Sequence, residues 1–116
     1  MIEEWMKEIK AKSPPEGLGM ILVHNGIVRA TSKKGEPVRG MLLGHDEDLL
    51  RSLVQEYSRK DGIVGIRVWI NDGNLKIGDD IMVVLVAGRF RTDVLPVFES
   101  LIRDIKTRVV REEEAL

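Results

Sequence analysis

The chain contains no cysteine. That absence excludes disulfides, thiolate catalysis and cysteine-based zinc sites together, and it fits a reducing compartment. There is no excess of charge either: 18 Lys and Arg stand against 19 Asp and Glu, a formal net charge of -1. Such a balance makes no global case for nucleic acid or an anionic membrane, and neither is expected as a partner. No apolar run approaches the roughly 20 residues that cross a bilayer. The opening "MIEEWMKEIK" is acidic and amphipathic, unlike a basic start followed by an apolar core, so the expected location is the cytoplasm. Also missing are the G-x-x-x-x-G-K-S/T phosphate loop, the G-x-G-x-x-G fingerprint and the G-x-S-x-G elbow, which leaves serine-triad chemistry little to build on. No internal repeat or low-complexity segment is present.

What is present is 116 residues, 43% hydrophobic and 32% charged, enough for one globular domain (1–116) around one core. Ile2, Trp5, Met6 and Ile9 recur at helical spacing and predict a helix over about residues 2–12, stopped by Ser13-Pro14-Pro15. "LGMILVHNGIVRA" reads as a strand buried on both faces, and "VRGMLLGH" as a second strand pairing with it as a hairpin across the solvated loop "TSKKGEP". Long loops beside strand ends often carry function. Residues 46–60 predict a helix with Leu49, Leu50, Leu53, Val54 and Tyr57 on one face and Gly62 as its stop. "IVGIRVWIN" and "IMVVLVAG" follow as strands on either side of the turn-rich "DGNLKIGDD". A last helix runs from Thr92 or Asp93 to about Val109, with Val94, Leu95, Phe98, Leu101, Ile102 and Ile105 facing inward, then a charged tail. The order α-β-β-α-β-β-α implies an α+β fold, a mixed sheet with helices packed on one side.

Neither His24, inside an apolar strand, nor His45, at a strand end, has a second histidine or an ordered carboxylate at ligand spacing. Both are assigned structural roles, and no metal and no cofactor are expected. The remaining chemistry is basic. Arg29 closes the first strand, Arg89 and Arg91 lie between the last strand and the last helix, and Lys106, Arg108 and Arg111 occupy the end of that helix. Arginine grips phosphate and carboxylate bidentately, and Arg91 would add charge to the exposed N–H groups of a helix start. A partly desolvated lysine can act as acid, base or nucleophile. The same pattern also describes a solvated cationic helix end that complements the dipole.

Four stretches together resemble the large, catalytic subunit of molybdopterin synthase: "GMILVHNGIVR", "DEDLLRSLVQEYSRKDGIVGIRVWI", "GNLKIGDDIMVVLVAG" and "FRTDVLPVFESLIRDIKTR". The likeness spans about Leu18 to Glu114. It implies an α/β-hammerhead fold, a homodimer, and a small ubiquitin-like sulfur-carrier subunit whose Gly-Gly C-terminus bears a thiocarboxylate. It further implies transfer of that sulfur to the anionic pterin phosphate, cyclic pyranopterin monophosphate, forming the dithiolene of molybdopterin. By the resemblance, Lys106 is the catalytic lysine that meets the tail, while Arg29 and Arg91 hold substrate.

The chain departs from the family pattern where Phe90 replaces a histidine, where Ala30-Thr31-Ser32 replaces an Asn-His-Asn-like stretch, and where Glu113 falls on a second lysine. Arg111, on a frayed helix end, is the candidate substitute for that lysine. Glu113 is expected to pair with Lys106. Two alternatives stay open: a member that has lost turnover and binds a ubiquitin-like partner or a pterin as a regulatory module, and a plain structural dimer.

Overall fold

The computed structural model describes all 116 residues. In chain order the elements are α1 (Ile2–Lys12), β1 (Met20–Ile27), β2 (Gly40–His45), α2 (Glu47–Ser58), β3 (Ile63–Ile70), β4 (Gly73–Lys76) and β5 (Asp80–Gly88). Then come α3 (Arg91–Asp104), a π-helical turn (Ile105–Val109) and β6 (Val110–Ala115). No helix is long and apolar enough to cross a membrane.

β5 organises the molecule. Every residue from Met82 to Gly88 is buried, which a strand tolerates only with both faces covered. It forms the centre of a three-stranded antiparallel sheet, β1-β5-β3, in which Val84 lies opposite His24 and Val68. The period of two sends Met82, Val84 and Val86 into the main core with Val94, Val97, Leu101 and Ile105, and Leu85 and Ala87 to Ile9 of α1 on the opposite face. The α+β class is as expected, but α1 therefore packs against the other side from α3.

A second antiparallel sheet, β4-β2-β6, puts β2 between two short partners, with Met41 opposite Leu75 and Glu114. Instead of one mixed sheet there are two antiparallel ones. β1 and β2 do not form the expected hairpin, because β5, the most apolar strand, pairs with β1 and holds it in the first sheet. The chain between them, 28–39, crosses from one sheet to the other and folds back on itself through a Thr31–Pro37 bridge. β1 is an edge strand and not buried on both faces: Val23 is 38% and Ile27 53% exposed.

Local chemistry sets the helix ends. The carboxylate of Asp46 accepts from the Leu49 N–H at 3.1 Å, capping α2. Gly62, at φ +83, turns the chain into β3, and a Cβ on Gly88 would collide with the Gly62 carbonyl. Val94, Val97 and Leu101 form the buried stripe of α3, while Leu95, expected inside, is 38% exposed. The stripe continues through Ile105 and Val109 of the π turn. The tail is neither a solvated extension nor a frayed helix end: residues 110–115 pair with β2 as β6. The turn-rich "DGNLKIGDD" also contributes a strand, β4.

Candidate functional site

A cleft of about 730 Å³ opens between the end of β1, the 28–39 crossover, the π turn and β6. Lys106 enters it from the π turn. Its neighbour Ile105 and the later Val109 are buried, so the turn is pinned from within while Lys106 stays exposed. Such wide turns recur at functional sites. Arg29 enters from just beyond β1, its Nε donating to the Thr31 carbonyl at 3.2 Å. Lys33 and Lys34 add two more cations from the crossover tip. That tip is ordered by Ser32, whose Oγ accepts from the N–H groups of Lys34 (3.3 Å) and Glu36 (3.2 Å), the turn chemistry of short hydroxyl side chains. Both lysines lie outside the set of cations expected at the site. Their signal was the length of a charged loop at a strand end.

Three carboxylates share the cleft: Glu36, Glu112 and Glu114. The ion pairs of the molecule lie elsewhere, so none of the four cations is neutralised by direct contact. The register of β6 decides which glutamates face inward. Glu112 and Glu114 lie opposite the buried Leu43 and Met41, whereas Glu113 lies opposite Leu42, 47% exposed. Glu113 therefore stands on the outer face and makes no ion pair with Lys106. The expectation of that pair fails because 110–115 has strand period, not helical period.

The other basic residues divide. Arg111 shares the outer face with Glu113, its guanidinium over Gly44, 3.5 Å from where a Cβ would stand. Arg91 begins α3 and Lys106 lies just past its end, fifteen residues on, so the two are separated by about 22 Å along the axis. Within one chain Arg91 does not reach the Lys106 cleft. Arg89 is held by Asp93 at 3.2 Å and Asp61 at 3.5 Å, and its guanidinium sits 4.9 Å from the centroid of Phe90, which is 58% exposed. Arg89 is thus tied to the first turn of α3 and to the α2–β3 turn.

The histidines differ from one another. His45 Nδ1 meets Asp72 at 2.7 Å and Nε2 meets Glu47 at 2.6 Å, tying the end of β2 to the β3–β4 turn and the start of α2. Burial pulls its pKa down, but the hydrogen bonds and charges of Asp72 and Glu47 outweigh that and leave it raised above 6.5. Both ring nitrogens are thus occupied by carboxylates, one of them Glu47 only two residues on. His24 has a buried Nε2 without a hydrogen-bond partner. Its pKa is lowered, first by burial and then by the charge of Lys106.

Residues 2–108 match the sequence model of the family described as MoaE protein. The chain belongs to the MoaE family. An uncharacterised protein of Methanocaldococcus jannaschii is 30% identical over 109 residues, covering 90% of this chain and 87% of that protein. Among solved structures, a MoaE protein of Burkholderia ambifaria superposes with a TM-score of 0.77 at 21% identity, over 99% of this chain and 82% of that one. Molybdopterin synthase from Staphylococcus aureus gives 0.74 at 21% identity over 94% and 82%. A complex of subunits 1 and 2 of molybdopterin-converting factor from Helicobacter pylori gives 0.75 at 21% identity over 97% and 74%. The fold of this MoaE-family chain is thus that of molybdopterin synthase large subunits, and membership gives it a role in molybdenum cofactor biosynthesis.

Proposed function

We propose that this MoaE-family chain is the catalytic subunit of a molybdopterin synthase. It moves sulfur from the thiocarboxylated Gly-Gly tail of a small ubiquitin-like subunit to cyclic pyranopterin monophosphate, building the dithiolene. The observation that carries this reading is the meeting of Arg29 and Lys106, far apart in sequence, on one cleft with no ion pair on either. Both the phosphate of the pterin and the acyl oxygen of the tail carry negative charge. Unneutralised cations at a fixed place stabilise that charge more than mobile ones do. Arg29 holds phosphate and Lys106 meets the tail. Lys33 and Lys34 supply further positive potential.

The working unit in this reading is a homodimer. β1 leaves one edge unpaired, with Val23 and Ile27 exposed near it, and such an edge is suited to self-association. With about 22 Å between Arg91 and Lys106, Arg91 serves the cleft of the partner protomer. Arg111, on the outer face, acts on the anion only after β6 has rearranged.

A second reading also has an observation in its favour. Glu112 and Glu114 on the cleft oppose an anionic substrate, which suits a member that binds a ubiquitin-like partner or a pterin without turnover. The deciding assay combines purified protein, thiocarboxylated small subunit and pyranopterin, and measures dithiolene formed. The first reading expects product, lost about a hundredfold or more in Lys106→Ala, on the scale of removing one electrostatic stabiliser. Normal binding of the small subunit with no product from the parent chain selects the second.

A further inference from the structure

One group behind the cleft has no role in the reading above. β1 sends Met20, Leu22, His24 and Gly26 to one face, where Met20 and Leu22 pack on the main core and His24 lies opposite fully buried Val84. The imidazole is the polar member of an apolar row. Its Nε2 is the one buried side-chain nitrogen or oxygen in the molecule that lacks a hydrogen-bond partner. Folded proteins leave few such atoms, and an apolar side chain of similar size would fill the row without one. Next on the same face comes Gly26. A Cβ there would lie 3.5 Å from Nε2, 3.6 Å from Ile81 Cβ and 3.8 Å from Met82 Cγ. The glycine leaves a small space between Nε2 and Ile81, and Ile81 is itself a wall of the cleft that Lys106 lines.

The surroundings limit what Nε2 can meet. β5 presents apolar Val84 and Met82 here, and Lys106, on the cleft that Ile81 also lines, is the charge that adds to burial in lowering the pKa of the ring. A neutral imidazole in the Nδ1–H tautomer keeps an accepting lone pair on Nε2. Lys106 has three donors on a flexible stem.

We propose that His24 is a positioning residue for Lys106: its Nε2 accepts a hydrogen bond from the Lys106 ammonium and draws the lysine to the Ile81 wall of the cleft. The lysine is then held as an oriented donor for an incoming anion. Orientation of this kind strengthens binding by removing rotamer freedom before the ligand arrives. The consequence for sulfur transfer rests on the proposed function, but the contact belongs to the protein alone and is tested there.

The test is an NMR titration of ¹⁵N-labelled protein, with and without sulfate, in the parent chain, Lys106→Gln, His24→Gln and His24→Phe. His24→Gln keeps an acceptor, and His24→Phe fills the row with an apolar ring. The expected results are a neutral Nδ1–H tautomer for His24 and a His24 midpoint that rises in Lys106→Gln. Sulfate binding is expected to be about fivefold weaker in His24→Phe, as for one lost hydrogen bond, and restored to within about twofold in His24→Gln. A Lys106 Nζ signal slowed in solvent exchange by sulfate should appear in the parent and His24→Gln and be lost in His24→Phe. A midpoint unmoved by Lys106→Gln overturns the proposal, as does a His24→Phe variant that melts higher yet binds sulfate as tightly as the parent. If sulfate binds none of the four proteins, the anion-binding reading of the cleft has failed. The ¹⁵N shift of His24 Nε2 in the neutral ring then decides alone: a shift that moves in Lys106→Gln keeps the contact, and one that stays put removes it.

Discussion

Three consecutive glutamates in this chain divide into two kinds. Glu112 and Glu114 share the cleft with Arg29 and Lys106, while Glu113 between them faces away. Neutralising the inward pair should therefore tighten sulfate binding about three- to tenfold at low salt, the gain shrinking as salt screens the site. Glu113→Gln should leave it unchanged. Isothermal titration at two ionic strengths measures both, and equal effects from all three positions would contradict the strand register. At the same scale, His45 gives stability a pH dependence. Its folded pKa is raised above 6.5, so its contribution is full below about pH 6.5 and is lost as pH rises through the folded value. His24, with its pKa lowered, acts oppositely: stability it permits above 6.5 is eroded as pH falls toward its folded value. Urea unfolding should show His45→Asn costing more at about pH 5.5 than at about pH 8.5.

At the scale of the element, the π turn after α3 carries the burden. Ile105 and Val109 are anchored in the core four residues apart, and Lys106 is presented between them. Ile105→Ala should cost about 2–5 kcal/mol of stability by cavity formation, measured by denaturant unfolding. It should also weaken anion binding even where the fold survives, because the wall that aims Lys106 would loosen. Lys106→Ala should weaken binding with little loss of stability, since that side chain is exposed. The comparison separates holding the turn from acting in the cleft.

For the whole molecule, the separation of Arg91 from Lys106 makes a prediction that one chain cannot satisfy. If the partner supplies Arg91, light scattering should report twice the chain mass of 13.1 kDa. A mixture of Arg91→Ala and Lys106→Ala subunits, each inactive alone, should then recover about a quarter of parent activity. Half of randomly mixed two-fold dimers are heterodimers with one intact site in two. No recovery on mixing, with subunit exchange demonstrated, would place both residues' effects within one protomer. Charging the free edge of β1 with Val23→Lys should shift the mass toward the monomer.

The sequence alone determined the long periodic elements. The apolar face of Leu49, Leu50 and Leu53, the stop at Gly62 and the run Met82 to Ala87 are local patterns, and local backbone geometry obeys them. It also carried the family likeness, and with it Arg29 and Lys106. Tertiary structure decided what strands pair with. Nothing in "MILVHNGI" says that β5 will outcompete β2 for its edge, because pairing depends on which distant surface is most apolar. "VREEEA" offers no apolar alternation of its own; β2 makes it a strand by lending its open edge. That pairing turned Glu113 outward and Glu112 and Glu114 inward. The length of α3 kept Arg91 from Lys106, and the crossover brought Lys33 and Lys34 to the cleft. Side-chain convergence depends on contacts across the sheets, which no local period encodes.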